Sequence, residues 1–446
     1  MNHPATRPLA QPISDSAFGA WLNRECFCLS LDGGALETAL SREIGDADFV
    51  REMLAARPNL FSAVSVFVSR ADYAAMEAVM QAVEAAARLP LYREAVLAWA
   101  PGIARPEIAG DGRGTAGVFM GYDFHLSESG PRLIEVNTNA GGAFLNAPLA
   151  AASRACCKEV EGRYRRPPGD FEAGVIAMFR REWSLERGEA TLTRIAIVDD
   201  APTEQYLYPE FVLARETFRR HGIDAVICDP SELRFDGALY AGDAKIDLVY
   251  NRLVDFDLDE PAHAALRAAY LAGAVVLTPS PRHHALFADK RNLTLLSSPE
   301  RLAAFGLAPG HVAALASVPH TQMVTPENAD ALWQARKQLF FKPVAGHGAK
   351  AVYRGEKLTK TVWETICTGG GGYVAQEAVA PPARSVMLEG ENRPLKFDLR
   401  LYTYDGQVLL AAARVYQGQT TNFRTQGGGF APVLVFDAVR EPEPCP

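Results

Sequence analysis

Three residues in the first third of the chain, Asp123, Glu135 and Asn137, have the chemistry to hold a hard divalent cation. The run Gly117–Leu126 reads as a strand, Ser127–Pro131 as a turn, and Arg132–Asn137 as a second strand, which together make a hairpin. On it Glu135 and Asn137 stand two residues apart and share a face, and Asp123 reaches that face from the partner strand. Two carboxylates and an amide oxygen in a small volume suit Mg²⁺, which takes a few oxygen ligands and leaves the rest to water and phosphate. Asn137-Thr138-Asn139-Ala140-Gly141-Gly142 follows at once, and glycine lets backbone approach a ligand closely. The plainer alternative is a solvated outer face of a hairpin.

A second set centres on Lys342, at the end of Phe340-Phe341-Lys342-Pro343 and just before Gly346-His347-Gly348. A lysine beside a glycine loop can pair with phosphate oxygens while loop N–H groups form an anion nest. The pattern is not a Walker A loop, and a structural turn competes with it. A third set is Lys396, Asp398 and Arg400 on one strand, Arg414 at the end of the next, and Arg424 in the donor-rich run Thr421–Gly429. Arginine is the forked donor for carboxylate and phosphate; ordinary surface ion pairs are the alternative. No Gly-x-Ser-x-Gly elbow occurs and the nine histidines are scattered, so no covalent nucleophile stands out. That fits chemistry driven by a nucleotide and a metal.

The elements that must position these groups change character along the chain. Residues 34–57 and Asp72–Ala87 read as helices, the second with Met76, Val79, Met80 and Val83 on one face. A basic, proline-containing break spans Arg163–Pro168. After a helix at about 170–186, strands at 194–198, 225–228, 246–250 and 274–277 alternate with helix Tyr208–His221, the pattern of a small parallel sheet. From about Asp289 the texture changes again. Strands at 338–343 and 373–377 are followed by a hairpin, Leu399–Tyr404 with Val408–Ala413, around Asp405-Gly406.

At 446 residues the chain is too long for one core, and two or three domains are expected. Apolar residues at 48% and charged residues at 22% are ordinary for a soluble globular protein. A net charge of −8 argues against nucleic acid or an anionic membrane as the main partner. No run approaches the length of a membrane helix, and Met1–Asp15 reads as a frayed leader without the apolar run of a signal peptide. Seven cysteines form neither a disulfide framework nor a zinc pattern, which points to a reducing cytoplasm.

In joint order these motifs resemble the ATP-grasp ligases, and among them the circularly permuted glutathionylspermidine synthetases and eukaryotic-type glutathione synthetases. In most ATP-grasp chains the Asp…Glu-x-Asn hairpin comes last; here it comes first, at Asp123, Glu135 and Asn137, and the rest follows in the usual order. Ile246–Leu253 looks like the strand before the central crossover, and Leu277-Thr278-Pro279-Ser280 like the approach to a first nucleotide lysine. The resemblance gives that role to Lys290 and the second to Lys342, and the adenine hinge to Gln376-Glu377-Ala378-Val379. Asp398-Leu399-Arg400 and Asn422-Phe423-Arg424 look like the Asp-x-Arg strand and Asn/Arg loop of the ribosomal-protein glutamate ligase branch.

What the resemblance implies is a permuted ATP-grasp fold of mixed α/β class in four parts. These are a helical cap (1–110), the metal hairpin (111–165), a Rossmann-like unit (190–285) and a nucleotide-binding unit (286–446). It implies a ligase joining a carboxylate to an amine with ATP and Mg²⁺. Asp123, Glu135 and Asn137 would take the metal. Lys290, Lys342, Gly346, Gly348, Gln376, Glu377, Val379 and Asn422 would take the nucleotide. Arg400, Arg414 and Arg424 would act on the transferring group, and Gly346–Gly348 and Gly427–Gly429 would be lids. Small-molecule or peptide substrates are expected; the oligomeric state is left open, a homodimer being common in similar ligases. The relatives carry an arginine two residues before the metal aspartate, where this chain has Gly121. Another arginine would have to act there, or the protein binds nucleotide without turnover. A nicotinamide enzyme is disfavoured, because no glycine fingerprint follows Ile195–Val198.

Overall fold

The computed structural model describes residues 14–105, 114–154, 170–344, 351–368 and 372–437. Gly346 and Gly348 lie outside the described residues, as do Arg163–Pro168 and the leader to residue 13.

The largest sheet has seven strands drawn from distant parts of the chain. In space they run Val66–Ser69, Gly429–Phe436, Gln407–Tyr416, Glu391–Tyr404, Met120–Ser127 and Gly130–Asn137, with Ala383–Leu388 also paired to Glu391–Tyr404. Val66–Ser69 pairs parallel with Gly429–Phe436, and the other neighbours are antiparallel. The early hairpin therefore completes a sheet of late strands: Asp123 lies opposite Arg400, and Asp398 opposite Arg414. Helix Arg70–Arg88 lays Met76, Val79, Met80 and Val83 into the core beneath this sheet, capped by Ser69. Its Glu84 accepts a 3.0 Å hydrogen bond from Tyr122 and so ties helix to hairpin. The first expected helix is two, Gly33–Ile44 and Ala47–Ala56, because Gly45 adopts a left-handed conformation and ends the first.

A second sheet is fully parallel, in the order Val276–Thr278, Leu248–Asn251, Arg194–Val198, Asp224–Cys228. Helices Phe171–Arg187 and Tyr208–Arg220 cover it through packed rings such as Phe179 and Phe218, 4.8 Å apart edge to face. The expected strand 246–250 divides at Asp247. Ala244–Ile246 joins a small three-stranded antiparallel sheet, and Leu248–Asn251 joins the parallel one. A third, four-stranded antiparallel sheet runs Thr321–Met323, Tyr373–Glu377, Leu339–Pro343, Tyr353–Arg354.

Buried Glu182 joins two of these layers. Its carboxylate accepts from Ala116 N–H (2.7 Å), from the Tyr404 hydroxyl (3.0 Å) and from the Thr278 hydroxyl. Burial raises its pKa to about 6 despite these donors. Just beyond the hairpin, Gly142 starts helix Ala143–Ala151 at φ +108°, where a Cβ would lie 2.3 Å from Phe430 Cζ and 2.7 Å from the Tyr402 hydroxyl. Gly142→Ala should therefore destabilise the fold by about 3 kcal/mol, summing backbone strain and overpacking, read as a lower urea midpoint.

Candidate functional site

The Met120–Ser127/Gly130–Asn137 hairpin contains one irregularity, and the site is built on it. Asp123 pairs with Glu135, but the next residue, Phe124, pairs with Leu133, leaving Ile134 as an extra residue. Such a bulge re-aims its neighbours and leaves backbone groups outside the ladder. The Ile134 carbonyl is one of them. It accepts from Lys342 Nζ at 3.1 Å and from Gln376 Nε2 at 3.3 Å, both on the four-stranded sheet. The lysine-bearing sheet thus holds the hairpin at this carbonyl.

Asp123, Glu135 and Asn137 converge as the two-residue spacing requires. The Asn137 amide nitrogen lies 3.1 Å from Asp123 Oδ2 and 3.3 Å from Glu135 Oε1. Asp123 is 3% exposed and is gripped in a fork by Arg400, whose Nε and Nη2 each lie 2.6 Å from a carboxylate oxygen. Arg414 Nη2 adds a contact at 2.8 Å, and Arg414 Nε holds Asp398 at 2.7 Å. Burial alone would raise the Asp123 pKa, but the two guanidiniums outweigh it and hold the carboxyl well below the usual range. Asp398, Arg400 and Arg414 are thus a buried network and not surface pairs.

These groups line a cavity of about 420 Å³. Of the residues singled out in the sequence, it gathers Asp123, Glu135, Asn137, Lys290, Lys342, Gln376, Glu377, Val379, Arg400 and Arg414. Lys342 is buried, and Glu377 forms a rim pair with Arg132 at 3.1 Å. Two expected members are elsewhere. Asn422 braces its own loop, donating to the Gln417 carbonyl at 2.7 Å and accepting from Arg424 N–H at 3.0 Å, while the Arg424 side chain is exposed. The loop instead offers Gln419, Thr420 and Thr421 to the cavity. Gly427–Gly429 is no lid: Gly428 and Gly429 are buried where the last strand begins.

Gly121 has a physical reason. A Cβ there would lie 2.5 Å from Ala140 Cβ and 3.3 Å from Arg400 Nε, so Arg400 fills the space an arginine at 121 would need. Several lining residues carried no usable sequence signal. His125, whose Nδ1–H donates to the Val379 carbonyl at 3.0 Å, follows Asp123 by only two positions. Of the His283-His284 pair, His283 is structural, bonded to Ser280 and Thr115, and His284 lines the cavity.

The hairpin set fits a divalent cation by its donor chemistry. The Asn137 amide bridges two carboxylates, and an amide turned about its last torsion would present oxygen there instead. Of the two carboxylates in the set, Glu135 is the one that neither Arg400 nor Arg414 grips. A different cluster, Asp200, Glu260 and His263, also gathers ligand-type atoms within 4.8 Å. There both ring nitrogens are already bonded to carboxylates, Nδ1 to Asp255 (2.8 Å) and Nε2 to Asp200 (2.9 Å). Burial favours a neutral ring, but the hydrogen bonds to Asp200 and Asp255 outweigh it and raise the pKa. With a carboxylate on each ring nitrogen, His263 serves as a clamp between Asp200 and Asp255.

No protein-family model matches this sequence, and no curated protein matches it. Among solved structures, a glutathione synthetase-like effector of Globodera pallida, in its apo form, aligns with a TM-score of 0.52 and 11% identity. That match covers 91% of this chain and 98% of the effector. A proposed gamma-glutamylcysteine synthetase of Methylobacillus flagellatus gives 0.44 at 11% identity, over 78% and 84% of the two chains. D-alanyl-alanine synthetase A of Vibrio cholerae gives 0.28 at 12%, over 55% and 89%. The first likeness is one of fold: the chain shares the overall fold of that glutathione synthetase-like effector. Among the described residues no helix is long and apolar enough to cross a membrane.

Proposed function

We propose that this protein is an ATP-dependent, ADP-forming carboxylate–amine ligase that works through an acyl phosphate, on a circularly permuted ATP-grasp arrangement. One observation carries the reading. Glu135 and Asn137 from an early hairpin share one cavity with Lys290, Lys342, Arg400 and Arg414 from much later in the chain. An early hairpin that completes a sheet of late strands is the arrangement a permuted order would produce.

A carboxylate resists attack by an amine at neutral pH because its oxygen is a poor leaving group. In the proposed reaction a substrate carboxylate oxygen attacks the γ-phosphorus of ATP, the bond to the β–γ bridging oxygen breaks, and ADP departs. The amine nitrogen then attacks the acyl carbon, phosphate leaves with the bonding electrons, and the amine gives up a proton. Such a sequence needs positioning and charge neutralisation more than a covalent nucleophile. Lys290 and Lys342 offset phosphate charge, and the segment Gln376–Val379, at the end of strand Tyr373–Glu377, borders the base. Arg400 and Arg414 stabilise charge developing on the transferred group. Glu135 and Asn137, with Asp123 beside them, would hold Mg²⁺, which neutralises phosphate oxygens when bound.

Lys342 supplies a pH signature. Burial pushes its ammonium down to about 8; Glu135 and Asp123 pull upward, and Lys290 pushes further down. Nucleotide affinity should fall as pH rises through about 8, where the ammonium loses its proton. Lys342→Met should weaken ATP binding at pH 7 by about tenfold to a hundredfold and abolish that dependence. Equilibrium binding of ATP across pH checks it, and unaltered affinity removes Lys342 from the site. The stability sign is separate. A lowered lysine pKa costs stability below about pH 8, and the cost is relieved as pH climbs toward the unfolded value.

The deciding experiment is ADP release from Mg-ATP with pooled amino acids, polyamines and small peptides. A pool that stimulates release supports the ligase. A second reading, a nucleotide-binding protein without turnover, has one observation on its side: Asp123 and Asp398 already hold Arg400 and Arg414. It predicts ATP binding that no pool stimulates. Failure to bind ATP overturns both.

A further inference from the structure

The charged groups occupy only part of the cavity. Another part of its wall is made by Thr138, Asn139, Val254, Phe256, His284 and Ala288. Phe256 and His284 stack face to face, centroids 3.8 Å apart and planes 8° from parallel. Val254 is 40% exposed, an unusual openness for a valine beside a cavity. None of the six carries a charge at neutral pH: burial pushes His284 down to about 4.

This wall is held in place from three sides. The Asn139 amide donates to the Arg252 carbonyl and, at 2.9 Å, to the Leu253 carbonyl, pinning the loop that carries Val254 and Phe256 to the end of the hairpin. His263, bonded through both ring nitrogens, anchors Asp255, between those two residues, to Asp200. His284 and Ala288 ride on one turn of π-helix, His284–Ala288, a backbone form that occurs often at functional sites. Thr138, Asn139 and Phe256 also share a small adjoining hollow, so the pieces form one continuous surface.

We propose that this wall is the specificity pocket for one of the two organic substrates, and that the group it receives is an uncharged apolar or aromatic side chain of an amino acid or short peptide. The assignment rests on the ligase reading. A flat ring can stack against the Phe256–His284 pair, and an aliphatic group can cover Val254. A polyamine arm or a second carboxylate would be stripped of water there without an opposite charge from the wall.

The test uses the full chain with phenylalanine, leucine, glutamate, spermidine and dipeptides carrying the same side chains. It has two readouts: thermal stabilisation with and without ATP, and ADP release. Phenylalanine- or leucine-type ligands should raise the melting temperature and show kcat/KM at least about tenfold above the charged ones, a difference of about 1.4 kcal/mol. Val254→Asp, at an exposed position, and Phe256→Ala should raise KM for those ligands about tenfold or more, with kcat and the KM for ATP little changed. Equal or better binding of glutamate or spermidine overturns the proposal, as does an apolar preference that survives both substitutions or the absence of stabilisation by every apolar ligand. If apolar ligands bind in a wall-dependent way and no ADP forms, the pocket stands and the ligase reading falls.

Discussion

Glu135→Ala should lower substrate-stimulated ADP formation by about three orders of magnitude, about 4 kcal/mol in the barrier, while the protein stays folded. The asymmetry follows from position. Glu135 is only half-buried, and the arginines beside it are engaged by Asp123 and Asp398, so removing it strands neither guanidinium, and buried Lys342 keeps Asp123 as a counter-charge. Stability should stay within about 0.5 kcal/mol of wild type. A second readout separates this residue from generic damage. Glu135 pulls the Lys342 pKa upward, so its loss should move the pH at which nucleotide affinity declines to a lower value. Full ADP formation in the variant would remove the hairpin from the proposed metal site.

Arg400→Ala should have the opposite profile, a large loss of stability as well as of activity. Asp123 would remain buried with Arg414 as its remaining guanidinium partner, and breaking a buried pair from one side costs about 3–5 kcal/mol. In the wild type the folded-state pKa of Asp123 lies below its unfolded value. Its contribution is therefore present above about pH 4 and lost as pH falls through the folded pKa. Without Arg400 the burial effect gains ground, the pKa rises, and acid loss of stability loses its Asp123 component or shifts to higher pH. Urea unfolding from pH 3 to 8 measures both effects. Asp123→Asn combined with Arg400→Ala should cost less than the two changes added together, because no charge is then left unpaired. Strict additivity would mean that the pair does not act as a unit.

Much of the cavity lining was legible because strand alternation is a rigid rule. Glu135 with Asn137, and Asp398 with Arg400, must share faces at a spacing of two, and they do. The parallel sheet was legible from apolar runs such as Ile195–Val198. What was hidden depends on pairing that no single segment displays. The Ile134 bulge is a mismatch between two strands and leaves no mark in either. Val66–Ser69 is a four-residue run whose strand character comes from pairing with Gly429–Phe436. Asn422 and Arg424 have the composition of a ligand loop, yet a side chain that can bond its own backbone does so here. The uncharged wall was invisible because Val254, Phe256 and His284 have ordinary types and no shared spacing.

The interleaved order of the seven-stranded sheet sets a timetable for synthesis. About 250 residues separate the end of the hairpin, Asn137, from Glu391, where its partner strand begins. At ribosomal rates of about 5–20 residues per second, the hairpin waits roughly 10–50 s with one edge unpaired. The parallel sheet, whose strands all lie between Arg194 and Thr278, can form during that wait. The half-built hairpin edge is then the surface that a nascent-chain chaperone would have to shield. Slowing translation after Thr278 should lengthen its exposure.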